Sequence, residues 1–450
     1  MAATRERHDP WHTDLTYVIG HQRPDTDSIA SAIGYAWCLS QEQESDEGQT
    51  DRVVAARAGQ VGPQAAFALG YFGLKAPRVL SSAAPTFAHV ATQQIPVRPY
   101  APLAEAMSRL AEGERLVPVV DGSGHLLGGL TPMALARAYA EVAGGTLRAS
   151  AQTCRSFVEE LPILSASDRV RDRRAALLRG GGEEFLVVGD DGCYLGTTSR
   201  KCLLEPPKAK LILVDHNELS QAVSGADEAE IVGVLDHHRL GNAPTSAPIP
   251  FVVEPVGSTS TLVAEACRQR DLVPPENIAG LLLSGILSDT LLYRSPTVTE
   301  RDRVAAAWLA KLCSVAVEDY GKRLIGTSPG LAERSADDIL DGDRKNYEIV
   351  GKSVSVAQIE ITGFQELPER KAALLEAMDT RRQREGLSLI CLMVTDVLNI
   401  QSHLICRGEP TILGALPFAR IDESEFDLGH VVSRKKQLIP ALQSAVEELE

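Results

Sequence analysis

Paired thiols, a basic excess, an apolar leader and any long hydrophobic run are all missing from this sequence, and each absence removes a class of function. The eight cysteines, Cys38, Cys154, Cys193, Cys202, Cys267, Cys313, Cys391 and Cys406, show no C-x-x-C spacing. That scatter speaks against a disulfide framework and a thiolate zinc site, and suits a reducing compartment. Lys and Arg number 45 against 60 Asp and Glu, a net charge of −15. A general nucleic-acid binder wants a basic face, so that class is excluded, while a local basic cluster for a small anion is not. The longest apolar run, about Ile278 to Leu287, is too short to span a bilayer. The opening MAATRERHDPWHTD has no apolar signal core. The expectation is a cytoplasmic protein with no membrane and no nucleic-acid partner. What is present is 44% hydrophobic residues over 450 positions, enough for buried cores in about three domains.

The richest stretch is GHQRPDTDS, Gly20 to Ser28, which follows the apolar Tyr17, Val18 and Ile19 and precedes the alanine-rich SIASAIGYAWCL. It reads as a buried strand, a tight loop and a helix. Such loops lie at the carboxyl ends of strands in open α/β sheets, where ligands bind. Within seven residues this one carries His21, Asp25 and Asp27, a set able to ligate a divalent cation. Equally, Asp25 and Asp27 can serve as helix caps. After the acidic QEQESDEGQTD comes a second strand, Val53 to Ala58, and a helix over Gln60 to Gly70.

From about Ala84 the pattern changes. VVDGSGHLLGGLT at Val119 to Thr131 matches VVGDDGCYLGTTS at Val187 to Ser199 in the same register, 68 residues on. Each copy predicts a helix, a strand, a Gly/Asp turn, a second strand and another helix. On this PVVD-G-x-L-x-G-x-x-T pattern the segment resembles a tandem of CBS domains, modules that commonly bind adenine nucleotides between the copies. Where that family often has an Asp three residues after the Thr or Ser, this sequence has Ala134 and Cys202. Arg98, Arg109, Arg200 and Lys201 are candidates to meet phosphates.

The interrupted α/β pattern resumes at Lys210. Leu211 to Val214 ends in Asp215, His216 and Asn217; Ile231 to Leu235 ends in Asp236, His237 and His238; the run through Leu281 to Leu287 ends at Asp289. An Asp after an apolar run is usually a turn or cap residue. Four such runs in order, three of them carrying His, point instead to a shared site. His21, Asp25, Asp27, Asp215, His237 and Asp289 are too many for one ion with room for substrate, whereas two ions sharing a carboxylate can use them. The oxygen and nitrogen donors suit manganese, cobalt or magnesium better than structural zinc. Two such ions activate water against a phosphate ester or anhydride. His238 is then available as general acid, and Asp236 to orient a histidine.

The runs GHQRPDTDSIASAIGYA, LVDHNE, DHHR, EPVGSTST, SDTLLYRSPT and, above all, SRKKQ at Ser433 to Gln437 resemble the manganese-dependent family II inorganic pyrophosphatases of the DHH phosphoesterase superfamily. The resemblance is to the subgroup with an inserted CBS pair. It implies an α/β fold: a parallel-sheet DHH catalytic domain over 14–83 and 208–325, a tandem CBS (α+β) insert over 84–207, and a smaller mixed α/β domain over 332–450. It implies the same six metal ligands, with Asp215 bridging, and His238 as catalytic acid. It further implies substrate contacts from Arg434 and Lys435, and from a lysine that falls on Lys345 in DGDRKNYEIV. Two manganese or cobalt ions, magnesium brought with pyrophosphate, an adenine nucleotide on the insert and a homodimer complete the expectation.

Beyond Tyr320 the sequence loosens. GTSPG reads as a hinge, Ser353 to Ile359 and Leu387 to Thr395 as strands, and Pro368 to Arg381 and the segment from Pro440 as helices. Two rivals remain: a phosphodiesterase or exonuclease of the same superfamily, whose relatives carry a GGGH signature absent here, and a nucleotide or phosphate sensor without catalysis.

Overall fold

The computed structural model describes residues 11–44, 52–143, 153–241, 245, 247–327, 330–332, 334–396 and 399–448. The acidic turn after Glu44 and part of the GTSPG hinge lie outside them. Contacts divide the chain into two units: residues 1–24, 35–60 and 77–254 in the first, and 25–34, 61–76 and 255–450 in the second.

The first unit is built on a six-stranded sheet. Its order is Phe251–Val253, Glu230–Asp236, Lys210–Val214, Leu15–Ile19, Arg52–Arg57 and Arg78–Val79, every pair parallel. All five residues of Leu15–Ile19 are buried, as expected of a central strand covered on both faces. The chain adds strands on one side of Leu15–Ile19, then returns at Lys210 to add them on the other. The strand order therefore reverses between Leu15–Ile19 and Lys210–Val214, and ligands of open α/β sheets bind at the carboxyl ends beside such a reversal.

Residues 84–207 enter after the short strand Arg78–Val79. They form a hairpin, Val117–Val120 with Leu126–Leu130, and a three-stranded sheet, Ile163–Ser165, Glu184–Val188 and Tyr194–Ser199. The two hairpins carry a register shift at equivalent places, Val119/Val120 and Val187/Val188, so the sequence repeat is also a structural one. Each copy has its own apolar cluster, and the hairpin tips bridge at His125 and Cys193.

The second unit joins the helices Pro63–Tyr71, Thr259–Gln269, Glu276–Asp289, Glu300–Leu312 and Val317–Ile325 to a C-terminal mixed sheet. That sheet runs Arg344–Ile349, Lys352–Ile361, Leu389–Asp396, Gln401–Gly408, Glu425–Gly429, Ala419–Arg420. Only its second and third strands are parallel, and the helix Leu367–Glu385 links them. Successive side chains of Leu389–Asp396 alternate between faces. Leu389, Cys391 and Met393 pack under the helix Ile439–Glu447, and Ile390, Leu392 and Val394 under Leu367–Glu385.

Three of the four apolar runs that end in a metal-capable residue are strands. The fourth is a helix, Glu276–Asp289, buried from Ile278 to Leu287.

Candidate active site

In the first unit the site is built on strand ends. His21 follows Leu15–Ile19, Asp215 follows Lys210–Val214, and His237 follows Glu230–Asp236. Asp215 adopts a left-handed backbone, φ 62°, a conformation that Asp tolerates better than most residues. Its carboxylate is buried between two imidazoles: His21 Nε2 lies 3.4 Å from Oδ2, and His237 Nε2 lies 3.4 Å from Oδ1. Metal bonds of about 2.0–2.2 Å place neighbouring ligand atoms roughly 3.0–3.5 Å apart, so this spacing fits shared coordination. Nitrogen and carboxylate donors without thiolate fit manganese or cobalt. Burial pushes the Asp215 carboxyl up, but His21 and His237 outweigh it and hold it well below the usual carboxylate range.

His238 is held differently. Its Nδ1 is 2.9 Å from Asp236 Oδ1, and the side chain is 55% exposed. Asp236 is fully buried and its Oδ1 also accepts the backbone N–H of His237 at 2.8 Å and of His238 at 3.2 Å. Asn217 Nδ2 donates to Asp236 Oδ2 at 2.5 Å. The Asp236 bond raises the His238 pKa, against the opposing effect of burial. Donor atoms of Asp215, His237 and His238 all lie within 4.8 Å of one another.

The loop after His21 passes into the second unit at Asp25. Asp25 Oδ1 accepts the Ser28 backbone N–H at 2.9 Å, so the capping role is real for this residue. Asp27 is completely buried and caps another helix. Its Oδ1 accepts Ser258 Oγ at 2.8 Å, Ser260 N at 2.9 Å and Ser260 Oγ at 2.5 Å, and its Oδ2 accepts Thr259 N at 2.6 Å. The EPVGSTST run thus supplies the N-terminus of Thr259–Gln269 to a carboxylate, as a helix dipole favours. Asp289 stands at the opposite kind of place, the C-terminal end of Glu276–Asp289. A carboxylate there opposes the dipole, and a bound cation would offset that cost.

A cleft of about 680 Å³ opens within the second unit, lined by Asp25, Gln64, Asp289, Arg334, Arg434 and Lys435 among others. Arg434 and Lys435 are therefore brought to it. Lys345 is not: it is exposed on Arg344–Ile349 and does not line the cleft. Arg434 is buried, with its guanidinium donating to Asp343 O at 2.5 Å, Asp343 Oδ1 at 2.9 Å and Val356 O at 3.3 Å. Three residues in a row beside the cleft, Leu291, Leu292 and Tyr293, have left-handed φ of 47°, 53° and 65°. Each costs of order 1–3 kcal/mol and persists only because its surroundings demand it.

Sequence reasoning missed several members. Asp302 is fully buried and accepts Gly257 N, Thr261 Oγ1, Thr299 N and Thr299 Oγ1, fixing the GSTST turn. Gln64 Oε1 accepts Ser288 Oγ at 2.8 Å, next to Asp289. Arg294 lies in the SDTLLYRSPT run, whereas nothing in the local sequence marks Arg334.

The profile of the DHH family, N-terminal domain, matches residues 15–286, more than half of the sequence. The chain belongs to the DHH family. A DHHA2 domain matches residues 324–445 of this DHH protein. Its relatives include a cobalt-dependent inorganic pyrophosphatase of Clostridium perfringens, 26% identical over 96% of this chain and 98% of that protein. A protein of Lactobacillus johnsonii named "Probable manganese-dependent inorganic pyrophosphatase" is 38% identical over 53% of this chain and 77% of its own length. In fold the chain is similar to the Methanococcus jannaschii protein described as a "putative family II inorganic pyrophosphatase", with a TM-score of 0.54, 23% identity and coverage of 96% and 99% of the two chains.

Proposed function

We propose that this DHH protein hydrolyses inorganic pyrophosphate to two phosphates and that adenine nucleotides regulate it through the inserted repeat. The chain is a metal-dependent inorganic diphosphatase whose cofactor is manganese or cobalt, in keeping with its pyrophosphatase relatives. The observation that carries the reading is the buried Asp215 carboxylate between His21 and His237, with His238 held beside it by Asp236. His21, Asp25, Asp27, Asp215, His237 and Asp289 are assigned as ligands of two ions, with magnesium arriving on the substrate. When bound, such ions neutralise substrate charge and lower the pKa of a water molecule.

The chain's own residues do the rest. Asp236 fixes the His238 ring through Nδ1, which directs Nε2 outward to donate a proton to the leaving phosphate oxygen. Asp236 also keeps that ring protonated to higher pH, as a general acid requires. Arg434 and Lys435, which line the cleft, are assigned to the phosphate at the non-reacting end, where charge-assisted hydrogen bonds orient it; Lys345, exposed outside the cleft, joins them on the family resemblance alone. In this reading 14–83 and 208–325 form the catalytic domain, 84–207 a regulatory CBS pair, and 332–450 the substrate-binding domain of a cytoplasmic homodimer. In the insert, Arg98 donates to Asp121 O, Arg109 pairs with Glu114 and Arg200 donates to Leu178 O. Lys201 is exposed and has no partner among the described residues, which leaves it as the cation for a nucleotide phosphate.

Phosphate release from pyrophosphate with manganese or cobalt, with and without AMP, ADP or ATP, tests both parts. A dinucleotide phosphodiester serves as parallel substrate. Pyrophosphate cleavage is expected, changed by nucleotide and reduced about 10²–10⁴-fold in kcat by His238→Ala. Cleavage of the phosphodiester alone would overturn the reading, and cleavage indifferent to all three nucleotides would remove the regulator.

A further inference from the structure

We propose that Arg334 is a substrate-binding residue that grips a phosphate group of the anion in the second unit's cleft. This deepens the pyrophosphatase reading and rests on it.

Four cationic side chains line that cleft: Arg294, Arg334, Arg434 and Lys435. They are not equally available. Arg434 spends its guanidinium on Asp343 and on the Val356 carbonyl, so it braces Arg344–Ile349 against Lys352–Ile361 as well as facing the cleft. Lys435 is exposed and offers a compact charge on a flexible stem. Arg334 is half-buried, and its guanidinium has no hydrogen bond or ion pair to any other described residue. A planar fork of donors with no partner among the described residues, in a cleft that Asp25, Asp289 and Glu360 also line, is placed for bidentate contact with phosphate.

The backbone that carries it is held firmly, although it belongs to a connecting segment. Leu331 is completely buried in the cluster with Ile339, Leu340 and Leu374. The Ala332 N–H donates to Glu366 Oε2 at 2.9 Å, and the Arg334 carbonyl accepts Arg370 Nη2 at 2.5 Å. Ser335 Oγ accepts the Asp338 N–H at 3.1 Å and starts the helix Ala336–Gly342. With Ala332 and Ser335 anchored, Arg334 has little backbone freedom to lose when an anion binds, and only its side-chain rotamers remain to be ordered. The same anchoring means that the side chain adds nothing visible to the fold, since every contact fixing the segment is made by its backbone or its neighbours.

Arg334→Ala and Arg334→Lys are compared with the parent enzyme in pyrophosphate kinetics and in calorimetric binding of imidodiphosphate, a non-hydrolysable analogue. The alanine variant is expected to raise KM roughly 10–100-fold and to weaken analogue binding by the same factor, with kcat within threefold and Tm unchanged. Lysine should restore part of the affinity. Unchanged KM and analogue binding would overturn the proposal, and so would a loss confined to kcat. Arg334→Gln, closer in shape, supplies the same comparison if the alanine variant folds poorly. A parent protein that binds imidodiphosphate without cleaving pyrophosphate would overturn the catalytic reading alone, and the proposal for Arg334 would still stand or fall on analogue binding by its variants.

Discussion

A carboxylate removed from water has to be surrounded by donors or cations. Asp27 and Asp302 satisfy this with backbone N–H groups and hydroxyls, and Asp215 with imidazoles. Asp422 is the exposed counterpart. Lys371 first, then Ser424, holds its pKa down at about 2. A group whose folded pKa lies below its unfolded value of about 3.9 stabilises fully above that value and loses its contribution as pH falls toward 2. The thermal midpoints of parent and Asp422→Asn should therefore differ at pH 6 and converge by pH 2, as scanning calorimetry would record. A constant gap across that range would exclude the linkage. At this scale the sequence was readable where chemistry clustered in short runs: His21, Asp25 and Asp27 are near neighbours, as are Asp236, His237 and His238. Asp302 was not readable as part of the site because Gly257 and Thr261, from which it accepts, lie 45 and 41 residues away, and Arg334 was not because the other groups lining its cleft come from distant segments.

The helix Glu276–Asp289 shows why elements are harder to read than residues. A short apolar run bounded by polar residues has no periodicity to separate a buried strand from a buried helix. The three earlier apolar runs of the set are strands, and it is a helix. The alanine-rich segment after Asp25 was legible as a helix because its polar start and length left no rival. Close packing in the second unit depends on a missing side chain at Gly285. A Cβ there would stand 2.3 Å from Ser260 Oγ and 2.7 Å from Asp27 Oδ1. Gly285→Ala should thus push Ser260 away from Asp27 and cost about 1–3 kcal/mol. Denaturant unfolding measures the loss, and weaker manganese binding should accompany it. An alanine variant as stable as the parent would show that the helices Thr259–Gln269 and Glu276–Asp289 can part without penalty.

Across the whole molecule, the repeat in residues 84–207 was visible because it is written twice in the same register, and the parallel sheet because its central strands hold short apolar runs, Tyr17 to Ile19, Leu211 to Val214 and Ile231 to Leu235. The division of the chain at Asp25 had no sequence signal, since it depends on which neighbours each half of a loop acquires. Burial of thiols reports on the integrity of the whole. Cys38, Cys154, Cys267, Cys313, Cys391 and Cys406 are buried, and Cys193 and Cys202, both in the insert, are partly exposed. An aromatic disulfide reagent should titrate two thiols rapidly in the native protein and six more only on unfolding. Fast reaction of a third would reveal opening well below the global transition.

The left-handed triplet Leu291 to Tyr293 carries a consequence for laboratory evolution. Leu292 fills the hollow over Gly321, and Arg303 covers the Tyr293 ring, so both repay part of their strain through packing. Leu291 faces the cleft. Selection for heat tolerance alone would be drawn to position 291, where Gly or Asn relieves the backbone, and the robust descendants would tend to be poorer enzymes.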